Sequence, residues 1–551
     1  MEPNRTDQLT EHEKKILEPY VTCVETSVFS LKNLNPEIIG AALARYSRAP
    51  TGFKETVARE FLNADGSPNQ EKGSQMIDRV VNKYGDDSVA ELAVAPICIE
   101  EVSNLMTKII EDRRIGGSPI EESTRYVLYD TKRNEQWRYI RPRNIMNSGL
   151  GKEFINVMDF IFSAYAEMVE PMQELFRKRL PKKDFSIEVE RSEGTVQAKL
   201  ADLKNDDERK AHRIAYNFTI RSAACDVIRC ILPACTKANM GLVGNGRFFS
   251  GLISKLLTQS LDEGWVLAEN LRQALNHQIP TFIKRAGASK YQAKIQTRMK
   301  EICKEIFHGI VIDQSPEVIL LGNEDFNIEL IASMIFPYVQ HPTKQIRKVV
   351  KNLSQDKREE IRLAYFGERA SKRDRPGRAL EYGYPIQFDL TAGFAEYRDL
   401  QRHRMLTQQR QNLGVTLGYS VPSEIEEIEK EDLVRECFAR AESLNSDLIR
   451  EGMEEEAQYT TLFNHFIRWN VGMNLRELSH LTELRTQRAG HPKYRRLTQT
   501  MTRLYLANRP EMKPLFNFVD YNDYDDGIAR AEQEARTARK SLTKGVFDDM
   551  D

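Results

Sequence analysis

Cysteine is scarce in this 551-residue chain, and long apolar runs are missing. Seven cysteines, at positions 23, 98, 225, 230, 235, 303 and 437, are too few and too scattered for a disulfide framework. Cys225, Cys230 and Cys235 recur every five residues, a spacing that drifts around a helix and does not suit zinc, so buried thiols and no metal are expected. No apolar run reaches the ~20 residues that cross a bilayer. The amino terminus, MEPNRTDQLTEHEKK, lacks the apolar core of a signal peptide, so a cytoplasmic protein without a membrane partner is expected. Net charge is absent too: 80 basic residues against 81 acidic ones leave −1, hence no global field for nucleic acid, and any basic function must be local. Without a Gly-x-Gly-x-x-Gly, a Walker loop or a Gly-x-Ser-x-Gly elbow, the Rossmann, P-loop and α/β-hydrolase readings have no support. Nucleotide handling would have to rest on arginines.

What is present is an ordinary globular composition, 40% apolar and 29% charged, arranged as a repeat. NPEIIGAALARYS from Asn35 resembles NIELIASMIFPYV from Asn327, each an apolar helical run holding one acid. Glu37 to Glu91 spans 54 residues and Glu329 to Glu381 spans 52, while Glu91 to Asp112 and Glu381 to Arg402 both span 21. A strand leading into a helix fits both of the latter stretches. Asn245-Gly246-Arg247 and Asn474-Leu475-Arg476 then repeat an Asn-x-Arg signature on helical patterns, 133 residues after Arg114 in one half and 72 after Arg404 in the other. The first half thus carries an insertion, placed at about 150–210, of which the polar stretch from Ser186 is a natural part. The expected organisation is a first copy over 15–315, a second over 316–520 and a charged tail over 521–551 read as a solvated helix or frayed end.

Three segments carry chemistry. In QRHRMLTQQRQ, Arg402, His403 and Arg404 offer two permanent cations and a polar ring, suited to diphosphate or an electron-rich ring; a solvated basic helix face has the same composition. In IEESTRYV, Ser123 and Arg125 can offer a hydroxyl and a guanidinium to one phosphate, or be a helix cap beside a surface arginine. In NLRELSHLTELR, Arg476 and Arg485 stand nine residues apart, about two and a half helical turns, with Asn474 before them.

Together these segments resemble the flavin-dependent thymidylate synthases, whose hallmark runs Arg-His-Arg, seven or eight residues, then Ser with Arg-Tyr soon after. The resemblance covers most of both halves, but the hallmark is split. The first half reads Asp112-Arg113-Arg114 and then Ser123-Thr124-Arg125-Tyr126; the second keeps Arg402-His403-Arg404 but has Asn412 and Gly414 where Ser and Arg are expected. The family's phosphate-gripping Arg four residues before a Pro is Arg229 in the first half and Gln458 in the second. Its ring-polarising Arg nine residues after Asn-x-Arg is Leu256 in the first and Arg485 in the second.

The resemblance implies an α+β fold: two tandem copies of the family fold, each a mostly antiparallel sheet with flanking and C-terminal helices. It implies one composite site that converts dUMP to dTMP, with methylene tetrahydrofolate as carbon donor, NADPH as reductant and FAD as carrier. Ser123, Arg125 and Arg229 would take the phosphate of dUMP, Arg402 both dUMP and flavin, and Arg485 the uracil ring. His403, Arg404, Asn474 and Arg476 would hold FAD, with Ser88 and Glu121 as further contacts. The opposite pairing, Asp112 and Leu256 with Asn412 and Gln458, would be dead for catalysis, although Asn245 and Arg247 could still touch a cofactor. The family's Gly-His-Glu-Thr segment reads Gly85-Asp86-Asp87-Ser88 here, which leaves folate handling open. An FAD-dependent enzyme acting on another nucleotide and a non-catalytic nucleotide-binding relative are the alternatives. Fusion of two domains makes a homodimer the equivalent of the family tetramer.

Overall fold

A computed structural model describes residues 9–192, 194–371, 373–524 and 528. The sequence dictates similar beginnings in the two copies. Helix α1, Pro36–Tyr46, starts where Asn35 accepts the Glu37 N–H and Pro36 takes a first-turn position that needs no N–H donor. Helix α6, Phe326–Ile335, starts likewise at Asp325, which accepts from Asn327 and Ile328. Each helix buries its acid against a partner: Glu37 accepts from the Thr281 N–H at 2.9 Å, and Glu329 pairs with Arg347.

The elements that follow run in one order twice. In the first copy they are β1 (Val94–Ser103), α2 (Asn104–Glu111), β2 (Gly117–Glu121), a long helix α4 (Asp206–Ile228), a 3₁₀ turn, β5 (Lys237–Asn245) and α5 (Gly246–Thr258). In the second they are β7 (Ile386–Gly393), α7 (Phe394–Leu400), β8 (Thr407–Arg410), α8 (Glu431–Arg450), a 3₁₀ turn, β9 (Phe466–Met473) and α9 (Leu475–Arg485), then α10 (Pro492–Asn508). The sheet orders are β1-β5-β2 and, with β6 (Val318–Leu321) added at one edge, β6-β7-β9-β8. β2 runs antiparallel to β5, and β9 antiparallel to both β7 and β8. Between β2 and α4 of the first copy lie α3 (Gly151–Arg179) and a two-stranded antiparallel hairpin, β3 (Ser186–Arg191) with β4 (Gly194–Lys199).

Compactness divides the chain differently from its repeat. One unit comprises the residues up to Val102 with Ile109–Glu121 and Ala238–Ala293. The other comprises Ser103–Lys108, Glu122–Lys237 and the chain from Lys294 onward, so it combines part of the first copy with all of the second.

Inside this second unit the copies meet as mates of a pseudo-twofold axis. The segment Cys230–Cys235 lies against Tyr459–Asn464: the Ala234 N–H donates to Thr461 O (2.8 Å) while Phe463 donates to Leu232 O (2.9 Å), and Cys235 donates to Tyr459 O (3.2 Å) while Asn464 donates to Cys230 O (3.1 Å). The surroundings repeat the exchange, since Leu105 donates to Ala234 O as Ala395 does to Phe463 O, and Ile140 to Cys235 O as Ser420 to Asn464 O. Such reciprocal pairing, residue i to j and j to i, is the pattern of an isologous subunit contact, here held within one chain. Because neither sequence in the exchange contributes a charged side chain, the segments can be buried: Cys230, Leu232, Cys235, Tyr459, Leu462 and Phe463 are nearly all at 0–1% exposure.

Candidate active site

The first copy delivers three side chains to this unit through short local motifs. Ser123 opens a turn, its carbonyl accepting the N–H groups of Tyr126 (3.0 Å) and Val127 (3.1 Å) and its Oγ accepting the Arg125 N–H at 3.3 Å. Arg125 is thereby aimed inward, where Asp226 holds it through both Nε and Nη2. Arg229 begins the 3₁₀ turn after α4 and is buried, with Asp226 one turn back at 3.8 Å. Thr124 Oγ1 accepts from Arg398 Nη1 at 3.0 Å and from Arg229 Nη1 at 3.5 Å.

These groups meet the second copy at Asp399. Its Oδ2 lies 3.5 Å from Arg229 Nη2 as an ion pair in which neither atom is hydrogen-bonded. Burial alone would push the Asp399 carboxyl up, yet Arg229, Arg125, Arg402 and Arg485 together pull it down to about 2. One carboxylate thus registers guanidiniums from both copies. Arg229 also acts on the buried Glu396, as does Lys493, so the cluster sets guanidiniums of both copies against the carboxylates of Asp226, Asp399 and Glu396. Arg229 Nε and Nη2 are buried without hydrogen bonds, a cost that an incoming anionic oxygen would remove.

Arg402, His403 and Arg404 sit beyond the end of α7, not on it, and alternate in exposure: the arginines face outward and His403 is buried. His403 Nδ1 lies 2.9 Å from Glu477 Oε1, and its Nε2 lies 3.0 Å from Arg485 Nε. Burial lowers the His403 pKa, with Glu477 opposing the shift and Arg485 reinforcing it. Asn474 caps α9 by accepting the Glu477 N–H at 3.0 Å; Arg476 is exposed in the first turn, and Arg485 ends the helix, 5.9 Å above the ring of Tyr494. Beside Arg125 and Asp226 opens a cavity of about 240 Å³, also lined by His491 and Lys493. His491 is brought to about 3 by burial, then by Arg229, and stays neutral.

Of the expected residues, Arg125, Arg229, Arg402 and Arg485 are gathered around Asp399, Ser123 sits in the turn that orients Arg125, and His403 touches Arg485. Asn474, Arg476 and Arg404 lie on the same helix and loop as these groups. Ser88 and Glu121 belong to the first unit: Ser88 is exposed with its N–H on Asp86 Oδ1 (3.2 Å), and Glu121 ends β2 opposite Met240. In that unit Asp86 is paired with Arg48 (2.8 Å) and Asp87 with Arg285 (3.6 Å). The degenerate positions are neutralised locally. Lys255 holds Asp112 at 2.6 Å, Arg247 pairs with Glu91, Leu256 is fully buried and Asn245 only caps α5. In the second unit Gln458 accepts the Leu413 N–H at 3.1 Å, and Asn412 donates to Glu455 at 3.4 Å.

Five participants were not singled out from sequence: Thr124, Asp226, Arg398, Asp399 and Glu477. Spacing does hint at four of them. Asp226 precedes Arg229 by three residues, Arg398 and Asp399 precede Arg402 by four and three, and Glu477 is the third residue of a capped helix.

Among the described residues no group of His, Cys, Asp or Glu is placed to hold a metal ion, and no helix is long and apolar enough to cross a membrane. The fold and the cluster define a duplicated α+β protein in which arginines of both copies converge on one carboxylate. The chain matches the family described as "Thymidylate synthase complementing protein" over residues 31–281 and 340–511, and it belongs to this flavin-dependent thymidylate synthase family in a tandem two-copy form. It is similar along its length to proteins designated UPF0159: one of Chlamydia muridarum is 32% identical, covering 97% of this chain and 99% of the relative. One of Chlamydia pneumoniae is also 32% identical (97% and 98%), and one of Thermoplasma acidophilum is 28% identical (92% and 99%).

Proposed function

We propose that the chain is an FAD-dependent thymidylate synthase that methylates dUMP to dTMP at one composite site per chain. The observation that carries the reading is the convergence of Arg125 and Arg229 from one copy with Arg402 and Arg485 from the other on Asp399. Ser123, Arg125 and Arg229 grip the nucleotide phosphate; their hydroxyl and guanidinium donors match its oxygens, and the unsatisfied Arg229 nitrogens are the fit. Arg402 bridges phosphate grip and cofactor. Arg485 polarises the pyrimidine ring, a fixed cation in a part-buried setting that stabilises developing charge better than open water does. Arg404 and Arg476 present exposed guanidiniums suited to the FAD diphosphate, with His403 and Asn474 on the same loop and helix. When bound, reduced flavin supplies the carbon and hydride transfer that no side chain here can perform. Methylene tetrahydrofolate and NADPH are the co-substrates, and the assembly is a cytoplasmic homodimer equivalent to the family tetramer.

One observation favours a second reading, an FAD-dependent enzyme of another nucleotide: Asp86 and Asp87 stand where the family has His and Glu, and both are tied to arginines. Complementation of a thymidine auxotroph separates the two. Growth with the wild-type chain and none with Arg485→Ala is expected. Failure of the wild type while the purified protein is yellow favours the second reading, and a colourless protein that takes up no FAD sinks both.

A further inference from the structure

We infer that Glu477 is a positioning residue that fixes the tautomer of His403 and, through it, aims Arg485. The argument starts from Arg485 Nε, which is always protonated and can only donate. It points at His403 Nε2 across 3.0 Å, so that nitrogen must be the acceptor and the ring proton must sit on Nδ1. Nδ1–H then donates to Glu477 Oε1 at 2.9 Å. Only this tautomer satisfies both contacts. The alternative, with the proton on Nε2, sets two donors face to face at Arg485 and leaves Nδ1 lone pair against carboxylate, in a pocket where His403 and Glu477 are 5% and 6% exposed.

The fold makes this chain of contacts rigid. Glu477 is held by its place in the first turn of α9, where Asn474 Oδ1 accepts its backbone N–H. Arg485 closes the same helix about two turns on. A carboxylate at one end and a guanidinium at the other therefore bracket a ring that belongs to a different segment, and the distance between them is set by helix geometry. Without the acceptor at 477, the imidazole is free to take the other tautomer, and Arg485 loses the acceptor it has at Nε2.

The inference rests on the reading of Arg485 as the ring-polarising group, but its first test does not. Nitrogen-15 spectra of the ligand-free protein, with the His403 signal assigned by its loss in His403→Gln, should show Nδ1 protonated and Nε2 not. Glu477→Gln, whose amide oxygen still accepts, should keep that signature and stay within about threefold of wild-type turnover. Glu477→Leu should scramble it and lower kcat about ten- to a hundredfold with KM for dUMP within threefold, as a misaimed group does. A wild-type His403 carrying its proton on Nε2 overturns the inference whether or not any variant folds. So does a folded Glu477→Leu protein with unchanged signature and kcat. A wild type that makes no dTMP but shows the expected tautomer counts against the proposed function and leaves the positioning geometry standing.

Discussion

The two copies treat equivalent charges in opposite ways. In the first, the position matching Arg402 is Asp112, held by Lys255, the position matching Arg485 is the buried Leu256, and Arg247 is tied to Glu91. In the second, Arg402 and Arg404 face outward and His403 bridges Glu477 and Arg485, while Asp399 is held ionised by Arg402 and Arg485 of this copy together with the buried Arg125 and Arg229 of the first. The first copy thus ties Asp112 and Arg247 into ion pairs of the kind worth little each, and keeps its buried guanidiniums at Arg125 and Arg229. The second keeps the cations that meet them. Duplication therefore let one member of each pair of positions decay, provided its counterpart was kept.

The comparison is broken most forcefully by giving each copy a residue of the other. Arg485→Leu, which installs the Leu256 side chain type, should reduce dTMP formation by about a thousandfold, the loss typical of a group that stabilises transition-state charge. Arg229→Gln installs what the second copy carries at Gln458. It should raise KM for dUMP about a hundredfold through loss of a charge-assisted bond, whereas Gln458→Arg should leave KM within twofold. Asp399 offers a smaller, thermodynamic handle. Its carboxyl lies near 2 in the folded protein and near 3.9 when unfolded, so it contributes stability above about pH 4 that is lost as pH falls toward 2. Asp399→Asn should therefore flatten the acid limb of a melting-temperature profile over that window and destabilise the neutral protein by about 3 kcal/mol, because buried arginines lose their counter-charge. Lys255→Ala, in the first copy, should change turnover less than twofold and stability by less than about 1 kcal/mol.

Much of this was legible in the sequence for physical reasons. The repeat could be read because helix caps, buried acids and the Asn-x-Arg start of α5 and α9 depend on local chemistry, and local chemistry leaves fixed spacings. The hydrogen bonds across the pseudo-twofold join Ala234 with Thr461 and Phe463 with Leu232, the same register that matches Asn245 to Asn474. The hairpin Ser186–Lys199 falls in the stretch read from sequence only as polar; the alternation that buries Ile187 and Val189 and leaves Glu188 and Glu190 outward is its strand signature. Asp399 and Glu477 left only a hint in their spacing, because an acid near an arginine on a helix is usually a surface pair and only tertiary packing reveals four guanidiniums around one carboxylate. The regrouping of residues 122–237 with the second copy is likewise a long-range result. The charged tail placed at 521–551 falls almost wholly outside the described residues; within them, Asn522 O accepts from Arg495 Nη2, and Tyr524 lies under Arg488 and Arg495.

The central claim is that one site is completed inside one chain by residues of both copies. Mixing a chain bearing Arg229→Gln with a chain bearing Arg485→Ala, under conditions that exchange subunits, tests it directly by dTMP formation. A site built within the chain predicts a mixture no more active than the two variants measured apart. Recovery toward about a quarter of the wild-type rate, the share of intact sites expected if the two sets of residues met between chains, would contradict it.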